Sequence, residues 1–171
     1  MESNITLPTS WAEINIKTFQ EMSLIDDKDK LLKTIELISV LSDKDPEEIK
    51  QYNAIDLEKI LNTIQWTNQS PTNEYKTHLV IEEKNYYLVK LSTLSLGEWV
   101  DLDTWCEDSI NNLHKIFALL YREEGEGYDA NNLRSELFLD KLMIEDVYGT
   151  LIFFLAIASQ YYLLIQDFTK S

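Results

Sequence analysis

Over the first 66 positions apolar residues recur at helical spacing in successive blocks. Trp11, Ile14, Phe19 and Met22 form the first block. They predict a helix opened by Ser10-Trp11-Ala12-Glu13, a capping box in which the serine oxygen accepts from a free amide and the glutamate reaches back. Asp26-Asp27-Lys28-Asp29 breaks that helix and starts a second, in which Leu31, Leu32, Ile35, Ile38 and Leu41 share one face. Asp45-Pro46-Glu47-Glu48 is a third start, with proline in the first turn where no amide bond is lost, and this short helix should end near Asn53. Ile55, Leu57, Ile60, Leu61 and Ile64 carry the helical period on through residues 54–66, to Trp66.

Residues 67–73, Thr-Asn-Gln-Ser-Pro-Thr-Asn, are polar and turn-forming and mark the best candidate boundary. The period then changes. Residues 77–82 and 86–91 are β-branched or aromatic runs with partial alternation, and Glu83-Lys84-Asn85 suits the turn of a hairpin. Such a hairpin is unstable alone in water and must lie on the helices or pair with another chain. Ser95-Leu96-Gly97-Glu98 repeats the capping-box pattern and opens a helical segment rich in tryptophan and acid. A longer helix follows, with Ile110, Leu113, Phe117, Leu120 and Tyr121 on its buried face. Glu123 to Asp129, with Gly125 and Gly127, is the clearest loop. An amphipathic helix over 131–142 and a long apolar one over 144–168 complete the chain.

These elements predict a mainly α fold, a multi-helix bundle with one β-hairpin (about residues 76–91) packed on it. Residues 1–70 form a helical region and 71–171 a hairpin plus helical core, together one compact unit. From Val147 to Ile165 there is no charged residue, nearly the length that spans a bilayer. Gly149, Thr150, Ser159 and Gln160 interrupt it, and its flanks are Asp146 and Asp167 rather than basic anchors. A buried core helix is therefore expected, not a membrane span. Whether it packs within one chain or between copies in a homo-oligomer, the pattern leaves open.

The net charge of −15 changes the picture of partners. A surface this acidic repels phosphate, so direct binding of nucleic acid through a basic groove is not expected, while basic protein surfaces suit it. The single cysteine, Cys106, excludes an intrachain disulfide and fits a reducing cytosol. Chemistry is sparsely signalled. His78 and His114 belong to no ligand motif, and neither a nucleophile elbow nor a phosphate-binding glycine loop is present. The carboxylates Asp101 and Asp103, or Glu123, Glu124 and Glu126, lack EF-hand spacing. No enzyme, cofactor or metal is expected. Trp66, Tyr86, Tyr87, Trp99, Trp105 and Tyr121 cluster in the middle third. They read either as core packing or as a binding groove, since both uses favour aromatics.

The segment from Ile81 to Arg122 carries a more specific pattern. Lys84-Asn85-Tyr86-Tyr87 is followed by Leu94-Ser95-Leu96-Gly97-Glu98-Trp99-Val100-Asp101-Leu102, then by His114-Lys115-Ile116-Phe117-Ala118-Leu119-Leu120-Tyr121-Arg122. With the acidic glycine loop and apolar terminal helix, this resembles a family of small proteins from the structural gene clusters of tailed bacteriophages. The loop after Arg122 departs from that pattern in being shorter and lacking proline. The resemblance implies a non-enzymatic tail-assembly chaperone that binds phage structural proteins in the host cytoplasm. The alternative is a stable virion component, a neck-ring or packaged cargo protein. The partner-binding residues it implies, with the neighbouring aromatics, are Tyr86, Tyr87, Gly97, Glu98, Trp99, Asp101, Trp105, Tyr121 and Arg122. His114 belongs to the same pattern. Gly97 is expected to admit a close backbone, and Glu98 or Asp101 to pair with Arg122.

Overall fold

The computed structural model describes residues 5–25, 29–129 and 134–169, with side chains through residue 157. The chain is mainly helical with a small antiparallel sheet. In order it forms α1 (Ile16–Ser23), α2 (Lys30–Ser42), α3 (Pro46–Ile49), α4 (Ala54–Thr63), β1 (His78–Ile81) and β2 (Lys84–Leu88). Then come α5 (Leu96–Cys106), α6 (Leu113–Leu120), β3 (Tyr121–Arg122), α7 (Ser135–Lys141) and α8 (Ile144–Thr169).

The first helix starts later than the spacing predicts. Ser10 makes no side-chain cap, and Trp11–Glu13 forms only a 3-10 turn. The Glu13 carboxylate instead accepts from the Thr9 amide at 2.9 Å and the Thr9 hydroxyl at 2.6 Å. The chain must then stay extended, because Ile16 N donates to Leu142 O at 3.0 Å and Ile144 N to Ile14 O at 2.8 Å. Asn15 caps the helix that follows, its side chain accepting from Thr18 N at 2.8 Å.

The other start signals hold where they are described. Asp29 caps α2, Asp45 caps α3 ahead of Pro46, and Asn53 caps α4. Asp26, Asp27 and Lys28, read as the break before α2, lie outside the described residues, as do 131–133 at the expected start of α7. α3 closes at Ile49, short of Asn53. The stripe of α2 is buried only at Ile38 and Leu41, while Leu31 and Leu32 in the first turn are exposed among the described residues. Ile55 and Leu61 of α4 likewise face outward.

The hairpin turns one residue earlier than expected. Ile81 pairs with Lys84, leaving Glu82 and Glu83 as a two-residue turn. Both have positive φ, 49° and 65°, as the right-handed twist of the strands demands. Neither is a glycine or asparagine, so the turn stores strain of about 1 kcal/mol or more per residue. Replacing the pair (Glu82→Asn with Glu83→Gly) is expected to raise stability by about 1 kcal/mol, read as a higher urea midpoint. An unchanged or lower midpoint would mean that the turn is not strained. A third strand was not foreseen: β3 pairs with β2 through Tyr87↔Arg122 and Leu88↔Tyr121. It is two residues long and continues a helical apolar run, so no alternation announces it.

One apolar cluster joins both halves, with Ile38, Ile49 and Ile60 alongside Phe117, Phe138 and Val147. The polar segment between the halves is bound to its surroundings. Trp11 Nε1 donates to Gln69 O at 2.7 Å, and Lys76 Nζ to Asp146 Oδ1 at 2.6 Å. Glu74 lies against Gly149 of α8, and Tyr75 packs edge-on to Phe153 at 4.8 Å. Among the described residues, no helix is long and apolar enough to cross a membrane.

Candidate functional site

The motif-bearing segment folds as a continuous unit of hairpin, α5, α6 and β3, and the acidic loop 123–129 is tied down beside it. Ser95 caps α5 in the reciprocal manner of a capping box: its oxygen accepts from Glu98 N, and Glu98 Oε2 accepts from Ser95 N at 2.6 Å. The other oxygen of that carboxylate receives Arg122 Nη2. Glu98 is 5% exposed and Arg122 is half-buried, so this ion pair is largely withdrawn from solvent. Burial pushes the Glu98 carboxyl up, but the bonds from Ser95 and Arg122 outweigh it and hold the group below its ordinary value. Arg122 also donates from Nε to Leu119 O at 2.9 Å, and its guanidinium lies 5.4 Å over the Tyr128 ring. The expected choice between two carboxylates thus falls on Glu98, while Asp101 accepts the Tyr128 hydroxyl. Burial and the neighbouring Asp101 push that phenol up.

The loop is fastened at further points. Arg134 pairs with Glu126 and stacks at 5.3 Å over Tyr86. Glu126 Oε2 accepts from Glu123 N at 3.0 Å, and Lys84 reaches Glu123 at 3.2 Å. Tyr128 and Arg134 were missed by sequence reading. A lone tyrosine in a glycine and acid loop was the available signal, since such a loop gives an aromatic ring no reason to be solvated.

The aromatic residues read as one cluster separate into different roles. Tyr86 is buried, edge-on to Phe138 at 5.3 Å, and Tyr121 is fully buried. Neither offers a face to a partner. Trp66 belongs with the first half, packing on Trp11 at 4.9 Å. Trp99 and Trp105 are half-buried against the core. Tyr87 is 44% exposed and stacks on His78 at 4.9 Å. Gly97 does not play the role expected of it: an added Cβ would meet nothing nearer than Ser95 Oγ at 4.0 Å. The close approach is at Gly149, where Glu74 O would lie 2.3 Å from a Cβ.

Tyr121 is a structural junction. Its hydroxyl lies 2.6 Å from Lys76 O, to which it donates, and 2.7 Å from Thr150 Oγ1, from which it can accept. Burial pushes the phenol up to about 12. Tyr121→Phe should cost about 1–2 kcal/mol in urea unfolding, limited because Thr150 can turn to Lys76 O. A neutral result would mean that water replaces the hydroxyl.

The hydrogen bonds and ion pairs of this arrangement hold the loop in place. The Cys106 thiol is pushed up by burial and by Asp103, which keeps it protonated and a poor nucleophile. His114 is pushed down, by burial first and Lys115 second, and its Nδ1 lies 3.4 Å from Gln20 Nε2. Among the described residues, no group of three or more His, Cys, Asp or Glu is placed to hold a metal ion. Fold and site together define a mainly helical protein with a small sheet and an ion-paired acidic loop. No protein-family model, curated protein or solved structure matches this chain.

Proposed function

We propose that the chain is a non-enzymatic assembly protein of the tailed-phage type, binding a tail or other virion structural protein as a chaperone. The observation that carries this reading is the division of labour within the Ile81–Arg122 unit. Its polar motif residues are bonded within the unit, Glu98 to Arg122, or to the loop beside it, Asp101 to Tyr128. Its outer surface presents Leu96 at 82% exposure, Val100 at 58% and Tyr87 at 44%. Large apolar side chains displayed on a locally braced scaffold suit a protein partner. The resemblance to tailed-phage assembly proteins, carried by the same segment, supports the identity of that partner. Of the residues the resemblance implies, Tyr87 is exposed and Trp99 and Trp105 are half-buried, while Glu98, Tyr86 and Tyr121 are buried.

A second reading, a stable virion component, draws support from α8. Ile152, Phe153 and Leu155 face outward from a stretch without charge, which suits permanent burial in an assembly. Mass spectrometry of purified virions beside a pull-down from infected cells separates the two. A chaperone is absent from particles and captures a tail protein, whereas a component is present at fixed copy number. Absence from both would overturn the phage assignment.

A further inference from the structure

The outer face of α5 carries a stripe with a definite chemical polarity. Leu96, Val100, Asp103 and Glu107 follow the spacing that aligns residues along one side of a helix, and all are exposed. The first two are apolar and the next two acidic. The opposite side, through Glu98 and Leu102, is buried. From Leu91 to His114 the sequence has no lysine or arginine. Among the described residues, no cation forms an ion pair with Asp103 or Glu107.

That placement is unfavourable for α5 by itself. A helix C-terminus carries partial negative charge and favours cations, yet this one ends in carboxylates, with no basic residue in its last turn. An incoming cation would relieve the repulsion, and the apolar pair a turn earlier would anchor whatever carries it.

We propose that this stripe binds a basic amphipathic helix, one with two apolar residues a turn apart followed along the same face by lysine or arginine. The proposal rests on the protein-binding reading above and supplies the chemistry of the partner. Charge selects this occupant over a second copy of the chain. Two α5 stripes side by side in parallel would set acid against acid. Antiparallel, they would set Leu96 against Glu107. Neither is complementary.

The test uses the full chain and a fluorescein-labelled helical peptide with leucine and lysine in that order along one face. A twin peptide carrying glutamate for lysine serves as comparison, with binding read by anisotropy at low and physiological salt. The lysine peptide should bind about tenfold or more tightly than its twin, with affinity falling as salt rises. L96S/V100S should weaken binding about tenfold, and D103K/E107K should reverse the preference between peptides. E36K/E58K, at exposed sites on α2 and α4, makes the same change of net charge and should leave the preference intact.

Equal weakening by E36K/E58K and D103K/E107K would overturn the proposal in favour of unspecific attraction to an acidic protein. No effect of L96S/V100S would also overturn it, as would conversion of a dimer to a monomer by that variant on a sizing column. Failure here is distinct from failure of the phage reading. Capture of a virion protein undiminished by L96S/V100S leaves that reading standing without this stripe, and peptide binding with no virion partner does the reverse.

Discussion

Gly149→Ala should cost about 3 kcal/mol or more and shift the urea midpoint sharply downward. In an ordinary helix interior the same change would stabilise by about 1 kcal/mol, because alanine is the better helix former. The sign reverses here because of what lies opposite. A Cβ at position 149 would sit 2.3 Å from Glu74 O, 2.5 Å from its carbonyl carbon and 2.6 Å from the carbonyl carbon of Asn73. All are backbone atoms, so no rotamer change gives relief. The segment cannot easily retreat: Lys76 is bonded to Asp146, and its carbonyl accepts from Tyr121. Overpacking of a rigid contact costs about 1–3 kcal/mol and at times more, a large share of the roughly 5–15 kcal/mol that holds a domain together. Gly97→Ala is the matched comparison. It meets only Ser95 Oγ at 4.0 Å, so it should be neutral or stabilising by up to about 1 kcal/mol. Equal responses from both variants would mean that residues 73–77 do not rest on α8.

These two glycines also mark where sequence reading stops: a close backbone approach was expected at Gly97 and is found at Gly149. Local signals were legible because their physics is local. The Ser95–Glu98 box, proline after Asp45 and the change to strand composition near residue 77 each act over a few residues. Where a distant segment decides, the local signal misleads. Ser10 to Glu13 has the letters of a capping box, yet pairing of residues 14–16 with 142–144 keeps the backbone extended and moves the helix start to Ile16. Likewise Tyr121 fits the period of α6, but pairing with Leu88 draws it into a strand. Gly149, within an apolar run, gave no hint that a crossing backbone requires it.

The candidate site was legible in part for the same reason. Glu98 was already marked by its capping box, and the resemblance implied Glu98 or Asp101 as the partner of Arg122. The choice depends on three-dimensional spacing that no pattern in the chain encodes. The Tyr128–Asp101 and Arg134–Glu126 links depend on how the acidic loop folds back, which is a tertiary event. Exposure was the least legible property. Aromatic residues adjacent in sequence, such as Tyr86 and Tyr87, lie on opposite faces of a strand, and only the latter reaches solvent.

Breaking the Glu98–Arg122 pair from one side should be the other large effect. Arg122→Met leaves a carboxylate that is 5% exposed without its cation, and Glu98→Gln leaves the guanidinium without its anion. Removing one member of a buried pair costs about 3–5 kcal/mol, because the remaining charge keeps its desolvation penalty. The double variant E98Q/R122M should recover much of that loss, since no uncompensated charge remains and the Ser95 amide can still donate to the glutamine oxygen. The pH dependence follows from the depressed Glu98 carboxyl. Its contribution is fully present above the ordinary glutamate value of 4.5, and is lost as pH falls through the lower folded-state value. In Arg122→Met that depression loses the arginine's share, while the opposing push of burial remains. The variant's stability should therefore fall less steeply than wild type as pH drops below the ordinary glutamate value. Urea unfolding at a series of pH values reads both effects. A double variant as unstable as the sum of the single ones, with an unaltered acid slope, would assign the cost to lost packing around Arg122 rather than to the ion pair.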